Sequence, residues 1–150
     1  MPALHPICPF RAIRFALIAC VLAGCGGPRE VKINPEDNPI FGPHDGPLVA
    51  LPDDGGSVEV ATEQVGAQAR VVAYFYAGPE GNTPLAPVPT DVSVDLALPG
   101  GEATNIVLTP GGGDARFASS PGDYVFDPFF GTINATVQGQ PVSVPFRAGQ

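Results

Sequence analysis

Between Leu48 and Phe146 apolar residues recur at every second position, and turn-forming residues interrupt the pattern at short intervals. A helix repeats its buried face every 3.6 residues, so a two-residue period selects half-buried strands. The pattern is cleanest in Asp91–Leu98, where residues 92, 94, 96 and 98 are apolar and share one face, against Asp91, Ser93, Asp95 and Ala97 on the other. In Ser57–Thr62, Val58 and Val60 point one way and Glu59 the other. Arg70–Ala77 is apolar on both faces, as a central strand covered on both sides would be. Pro99-Gly100-Gly101 turns the chain into Thr104–Leu108, and the loop Pro110–Asp114 leads to a short strand around Arg116–Ala118. Thr132–Val137 and Gln140–Phe146 flank Gln138-Gly139, a two-residue hairpin signal, with Ile133, Ala135, Val137, Val142, Val144 and Phe146 facing a core. Seven or eight short strands without helical connections predict an all-β domain over residues 48–147, an antiparallel β-sandwich of immunoglobulin-like architecture. A small barrel is the alternative. The likeness is architectural only, because the chain has no Trp and no usable cysteine pair for the immunoglobulin pin.

The N-terminus carries a different signal. Arg11 and Arg14 precede the apolar run Phe15–Ala23, which ends in Leu22-Ala23-Gly24-Cys25. Nine apolar residues are too few for the roughly 20 that a permanent bilayer-crossing helix needs, but they suit a signal peptide. Small residues before a cysteine form a lipobox, so residues 1–24 are expected to be removed and Cys25 to be the lipid attachment point. One acyl chain binds a membrane only marginally, at roughly 0.8 kcal/mol per buried methylene, whereas two or three make a stable anchor. The expected place is therefore extracytoplasmic, lipid-anchored to the cell membrane or the outer membrane, and Gly26 after the cysteine favours the outer one.

Cys8 and Cys20 leave with the signal, so no disulfide forms within the mature chain, and stability has to come from the core. Removal of Arg11 and Arg14 leaves five basic residues against fifteen acidic, a formal net charge of −10. Such a balance argues against a nucleic-acid partner or an anionic lipid surface. Gly26 to Pro47 holds five prolines and four glycines with little apolar periodicity, and residues 25–47 read as a lipidated tether. Fully extended at ~3.1 Å per residue, the 22 residues from Gly26 to Pro47 would span about 70 Å. Ile40 and Phe41 are the apolar exceptions, expected to dock on the domain that follows.

His44-Asp45-Gly46, Leu51-Pro52, Gly56–Val60, Val71–Tyr74, Leu108–Pro110, Arg116–Ser119 and Gly131–Phe146 follow one another in an order that resembles small uncharacterised lipoproteins of planctomycete-type bacteria. The resemblance spans nearly the whole mature chain and implies no established activity. The family's start is similar to His-Gly-Gly; here Asp45 replaces the first glycine and Pro47 follows Gly46.

Catalytic motifs are missing. A nucleophilic triad would have to use His44, the one mature histidine, without a Gly-x-Ser-x-Gly elbow. Gly111-Gly112-Gly113 precedes Asp114 rather than a Lys-Ser/Thr pair, so it reads as a hairpin loop and not a phosphate cradle. A metal site would draw on His44 and Asp45 with Glu36 and Asp37, or with Asp53 and Asp54, but one histidine falls short of the usual three or four convergent ligands. No cofactor is expected. Of the aromatic residues, Tyr74, Phe75 and Tyr76 read as core, whereas Phe126, Phe129 and Phe130 surround Pro128 and are the candidate contact surface for an envelope protein partner. The expected role is non-catalytic, a binding or structural module. The alternative is an accessory metal-binding protein of the envelope that uses His44 and nearby carboxylates.

Overall fold

The computed structural model describes residues 29–30, 40–125 and 127–148. Ten strands run through them: β1 (Arg29–Glu30), β2 (Leu48–Ala50), β3 (Ser57–Val65), β4 (Gln68–Tyr76), β5 (Thr90–Ala97), β6 (Ala103–Val107), β7 (Thr109–Pro110), β8 (Arg116–Ala118), β9 (Phe129–Val137) and β10 (Gln140–Ala148). They form two sheets, ordered β1-β10-β9-β5-β6 and β2-β3-β4-β8-β7. Every pairing is antiparallel except that of β1 with β10. Among the described residues the only helical element is a single 3-10 turn, Pro52–Asp54, and no helix is long and apolar enough to cross a membrane.

The alternation of the sequence explains how the two sheets meet. Val58, Val60, Val71, Ala73 and Phe75 project from one sheet, and Val92, Val94, Leu96, Ile133, Val144 and Phe146 from the other, into one shared core. Each fully buried Val, Leu, Ile or Phe contributes roughly 1.5–3 kcal/mol. Edge-to-face contact of Phe75 with Phe117, centroids 5.7 Å apart, and the Phe129–Phe146 pair at 5.3 Å fix how the rings fit. Gln138 and Gly139 take φ of 51° and 79°, the left-handed pair of a type I′ turn, which sets the register of β9 and β10 from Val137↔Gln140 to Phe129↔Ala148.

Two stretches of the region read as tether lie on the domain instead. β1 extends the first sheet beside β10, with Arg29 opposite Val142. Residues 40–47 make a short hairpin: Leu48 N–H donates to the Ile40 carbonyl at 2.7 Å, Gly42 N–H to Gly46 at 2.9 Å, and Phe41 bridges Pro47. Val60 N–H then donates to the Pro47 carbonyl at 3.2 Å. Prolines and glycines suppressed the strand signal here, although the backbone donors and acceptors that remain find partners on the sheet. The Ile40 and Phe41 side chains stay 68% and 53% exposed, so their docking is made by backbone alone.

Candidate functional site

On β3 and β4 the residues that point away from the core build a second cluster, on the outer face of their sheet. Antiparallel register sets Glu59 opposite Tyr74, Ser57 opposite Tyr76 and Glu63 opposite Arg70, and β8 adds Arg116 opposite Tyr74. Directly opposite and diagonal side chains on one face lie within reach of one another. The face is covered by the Gly42–Gly46 turn, and Glu59 beneath it is fully buried.

A buried carboxylate is tolerated only when its lone pairs are satisfied. Glu59 Oε1 accepts from His44 N–H at 2.7 Å and Gly46 N–H at 3.0 Å; Oε2 accepts from the Tyr76 hydroxyl at 3.0 Å and faces His44 Nδ1 at 3.0 Å. Two acceptors cannot face each other, so Nδ1 carries the proton and donates it. The imidazole lies flat on Tyr74, centroids 3.7 Å apart and planes 3° from parallel. Its orientation is therefore fixed from below and from one edge, while 43% of the side chain remains exposed. Glycine is required at position 42, where a Cβ would fall 2.3 Å from the Glu59 carboxyl carbon. Asp45 takes φ 61°, a left-handed conformation that Asp and Gly tolerate better than bulky residues do. Burial, followed by the hydrogen bond to Glu59, pushes the Tyr76 hydroxyl well above the ordinary tyrosine range.

Beside this lies a charged network. Glu63 accepts from Tyr74 Oη at 2.5 Å, from Arg70 Nη2 at 2.6 Å and from Arg116 Nη2 at 2.8 Å, and Arg116 sits 5.7 Å from the Tyr74 ring centroid. Partial burial alone would raise the Glu63 carboxyl. The bonds from Tyr74, Arg116 and Arg70 outweigh it and hold the group at about 2. Arg116 also donates to the Gly111 carbonyl, which ties the glycine loop to β8. Tyr74 thus joins the two parts, with its ring under His44 and its hydroxyl on Glu63.

No family model, curated relative or solved structure matches the chain. Among the described residues no three His, Cys, Asp or Glu side chains come together in a metal-binding group. Asp45 is exposed beside His44, and Asp53 and Asp54 are exposed on the 3-10 turn after β2. Glu36, Asp37, Cys25 and Phe126 lie outside the described residues. His44, expected in a free tether, is clamped to the domain.

The aromatic contact surface also changes. Phe129 and Phe130 begin β9 rather than occupying a loop. Phe129 is buried at 8% exposure against Phe146, so it belongs to the core, whereas Phe130 is 40% exposed with the Arg147 guanidinium 6.0 Å from its ring centroid. The strand's alternation separates the two: neighbouring residues face opposite sides. Tyr74 and Tyr76, read as core, stand on the outer face, and only Phe75 between them points inward. In sequence, Glu59 alternates with Val58 and Val60, the pattern of a solvent-facing carboxylate. The one sequence signal for its role was the spacing of His44-Asp45-Gly46 ahead of Gly56–Val60, which alone does not show that the two segments meet.

Proposed function

We propose that the protein is a lipid-anchored module of a bacterial cell envelope, in which a non-catalytic β-sandwich acts by binding or structural contact. The observation that carries this reading is the use made of Glu59. The most deeply buried carboxylate of the described residues spends its hydrogen bonds on the backbone and ring of the His44 turn, which joins the N-terminal segment to the sandwich. A latch of this kind suits a domain held by its N-terminus. No serine, threonine or cysteine of the described residues is hydrogen-bonded to His44, whose nearest hydroxyl is the phenol of Tyr76, 3.2 Å from Nδ1. The lipobox ending at Cys25 supports the anchor.

Strand order supports an immunoglobulin-like topology as part of the same reading. β3-β4-β8-β7 against β6-β5-β9-β10 corresponds to A-B-E-D against C′-C-F-G. β1 and β2 are then additions at the edges. The left-handed Asp45 fits the glycine found at this place in the planctomycete-type lipoproteins that the chain resembles, since glycine takes that conformation without strain. The anchor is tested by growth with labelled palmitate: the wild type should take up label and fractionate with membranes, and Cys25→Ala should do neither. Normal labelling of Cys25→Ala would refute the reading.

A second reading keeps the metal-binding accessory. Its supporting observation is the carboxylate–imidazole pair, since metal-ligating histidines commonly donate their other ring N–H to a carboxylate, and Nε2 of His44 has no hydrogen bond among the described residues. Zinc or copper should then raise the melting temperature of the wild type and leave that of His44→Ala unchanged. An equal response of both proteins rules this reading out.

A further inference from the structure

The position of β1 bears on how the sandwich stands on a membrane. Only Gly26, Gly27 and Pro28 separate Cys25 from Arg29, and Arg29 is paired with Val142 at the sheet edge. Four residue steps reach at most about 14 Å, a fifth of the span that an open tether of 22 residues would allow. β1 runs in the same direction as β10, so the chain enters it from the end where β10 begins, at the Gln138-Gly139 turn. Gly55 lies at that end as well, since a Cβ there would sit 3.9 Å from the Val137 side chain, and so does the start of β5, where Thr90 pairs with Thr136. Phe130 and the Val65–Gln68 hairpin mark the opposite end, roughly 27 Å away along the nine residues of β9.

We propose that the Gln138-Gly139 end is a membrane-apposed surface, held against zwitterionic lipid headgroups by this short leash, and that the Phe130 end points away from the bilayer. The proposal rests on lipidation of Cys25. Exposed Val88, two residues before β5, gives this end an apolar side chain that an interface would cover. Asp54, exposed on the turn beside Gly55, opposes anionic headgroups, which is why a zwitterionic surface is the partner named. Pinning the corner by β1 sets the orientation; these side chains set which lipid is accepted.

The test uses full-length protein processed and lipidated in the cell, then placed in phosphatidylcholine vesicles that contain a nitroxide-labelled headgroup. Cys8 and Cys20 leave with the signal, so a fluorophore can be attached to one introduced thiol, from Gln140→Cys at the proposed apposed end or Ala67→Cys at the far end, both exposed. Quenching should be at least about threefold stronger at position 140 than at 67. Insertion of fifteen Gly/Ser residues between Gly27 and Pro28 should bring the two signals together. Equal or reversed quenching without the insertion overturns the proposal, and so does a contrast that survives the insertion, because something other than the leash would then orient the domain. Failure of the underlying anchor is read separately: a wild type that takes up no palmitate and does not join the vesicles removes the lipid itself, whereas a lipidated protein with equal quenching removes only the leash.

Discussion

Glu59 shows how one residue changes meaning with its surroundings. On an open strand it would be a solvated carboxylate of little energetic consequence; under the His44 turn it is the acceptor for two backbone N–H groups, a phenol and an imidazole. Removing it leaves those donors buried without a partner, a penalty of about 1–3 kcal/mol for each such group, less where water can enter. Glu59→Ala is therefore expected to destabilise the domain by about 3 kcal/mol or more, and His44→Ala by about 1–2 kcal/mol, because the latter keeps both backbone bonds. Urea denaturation curves of the two variants give the order, and a His44→Ala loss equal to that of Glu59→Ala would show that the ring, not the carboxylate, holds the turn. Glu63 supplies a pH dependence. Its folded value of about 2 lies below the ordinary 4.5, so the stability it contributes is present above the unfolded value and is lost as pH falls from about 4.5 toward 2. With the group partly exposed, that contribution is on the order of 2 kcal/mol after solvent screening. The stability gap between wild type and Glu63→Gln should close over that range, which denaturant midpoints at pH 6, 4 and 3 measure.

Strand β9 divides neighbouring residues between environments, and its substitutions should divide likewise. Phe129→Ala removes a buried ring from the contact with Phe146 and is expected to cost roughly 3–5 kcal/mol. Phe130→Ser, on the opposite face, should cost less than about 1 kcal/mol, the loss being a half-exposed ring and its contact with Arg147. Thermal melts of the two single variants check this, and similar losses would mean that both rings are core. These positions were legible as aromatic but not as separate. Gly131 interrupts the inward-facing apolar row between Phe129 and Ile133, so the two-residue period does not extend back to them. By contrast, β5 and β10 are readable nearly to their ends, because each has an unbroken apolar face and β10 opens directly after the Gln138-Gly139 turn. β2 and β7, of three and two residues, carry too little pattern to be seen at all.

At the scale of the molecule, residues 29–30 and 40–47 of the N-terminal region belong to the domain. The Gly42–Gly46 turn covers the outer face of one sheet, and Pro47 and Gly46 are buried there. A protein starting at residue 48 would uncover Glu59, Tyr76 and Ala61, which are buried in the full domain against the turn, and should melt at least about 5 °C below one starting at residue 40, given that each kcal/mol is worth about 4–8 °C for a domain this size. Equal melting temperatures would mean that the hairpin is an ornament on a domain complete without it. Both proteins should give far-UV circular dichroism dominated by β structure.

What the sequence determined by itself is what depends on local periodicity and on short contiguous signals: the all-β class, most of the long strands, the Gln138-Gly139 turn and the expectation of a lipidated Cys25. Strand period and turn conformation are properties of neighbouring residues, so they can be read without knowing where the chain goes. The tertiary structure alone decided that Glu59 is buried, that Tyr74 and Tyr76 stand outside the core while Phe129 stands within it, and that residues 29–30 and 40–47 belong to the sheets. Each of those depends on a segment distant along the chain arriving to cover a face or extend an edge, and the free energy of that arrival is shared between partners that carry no common pattern in the sequence.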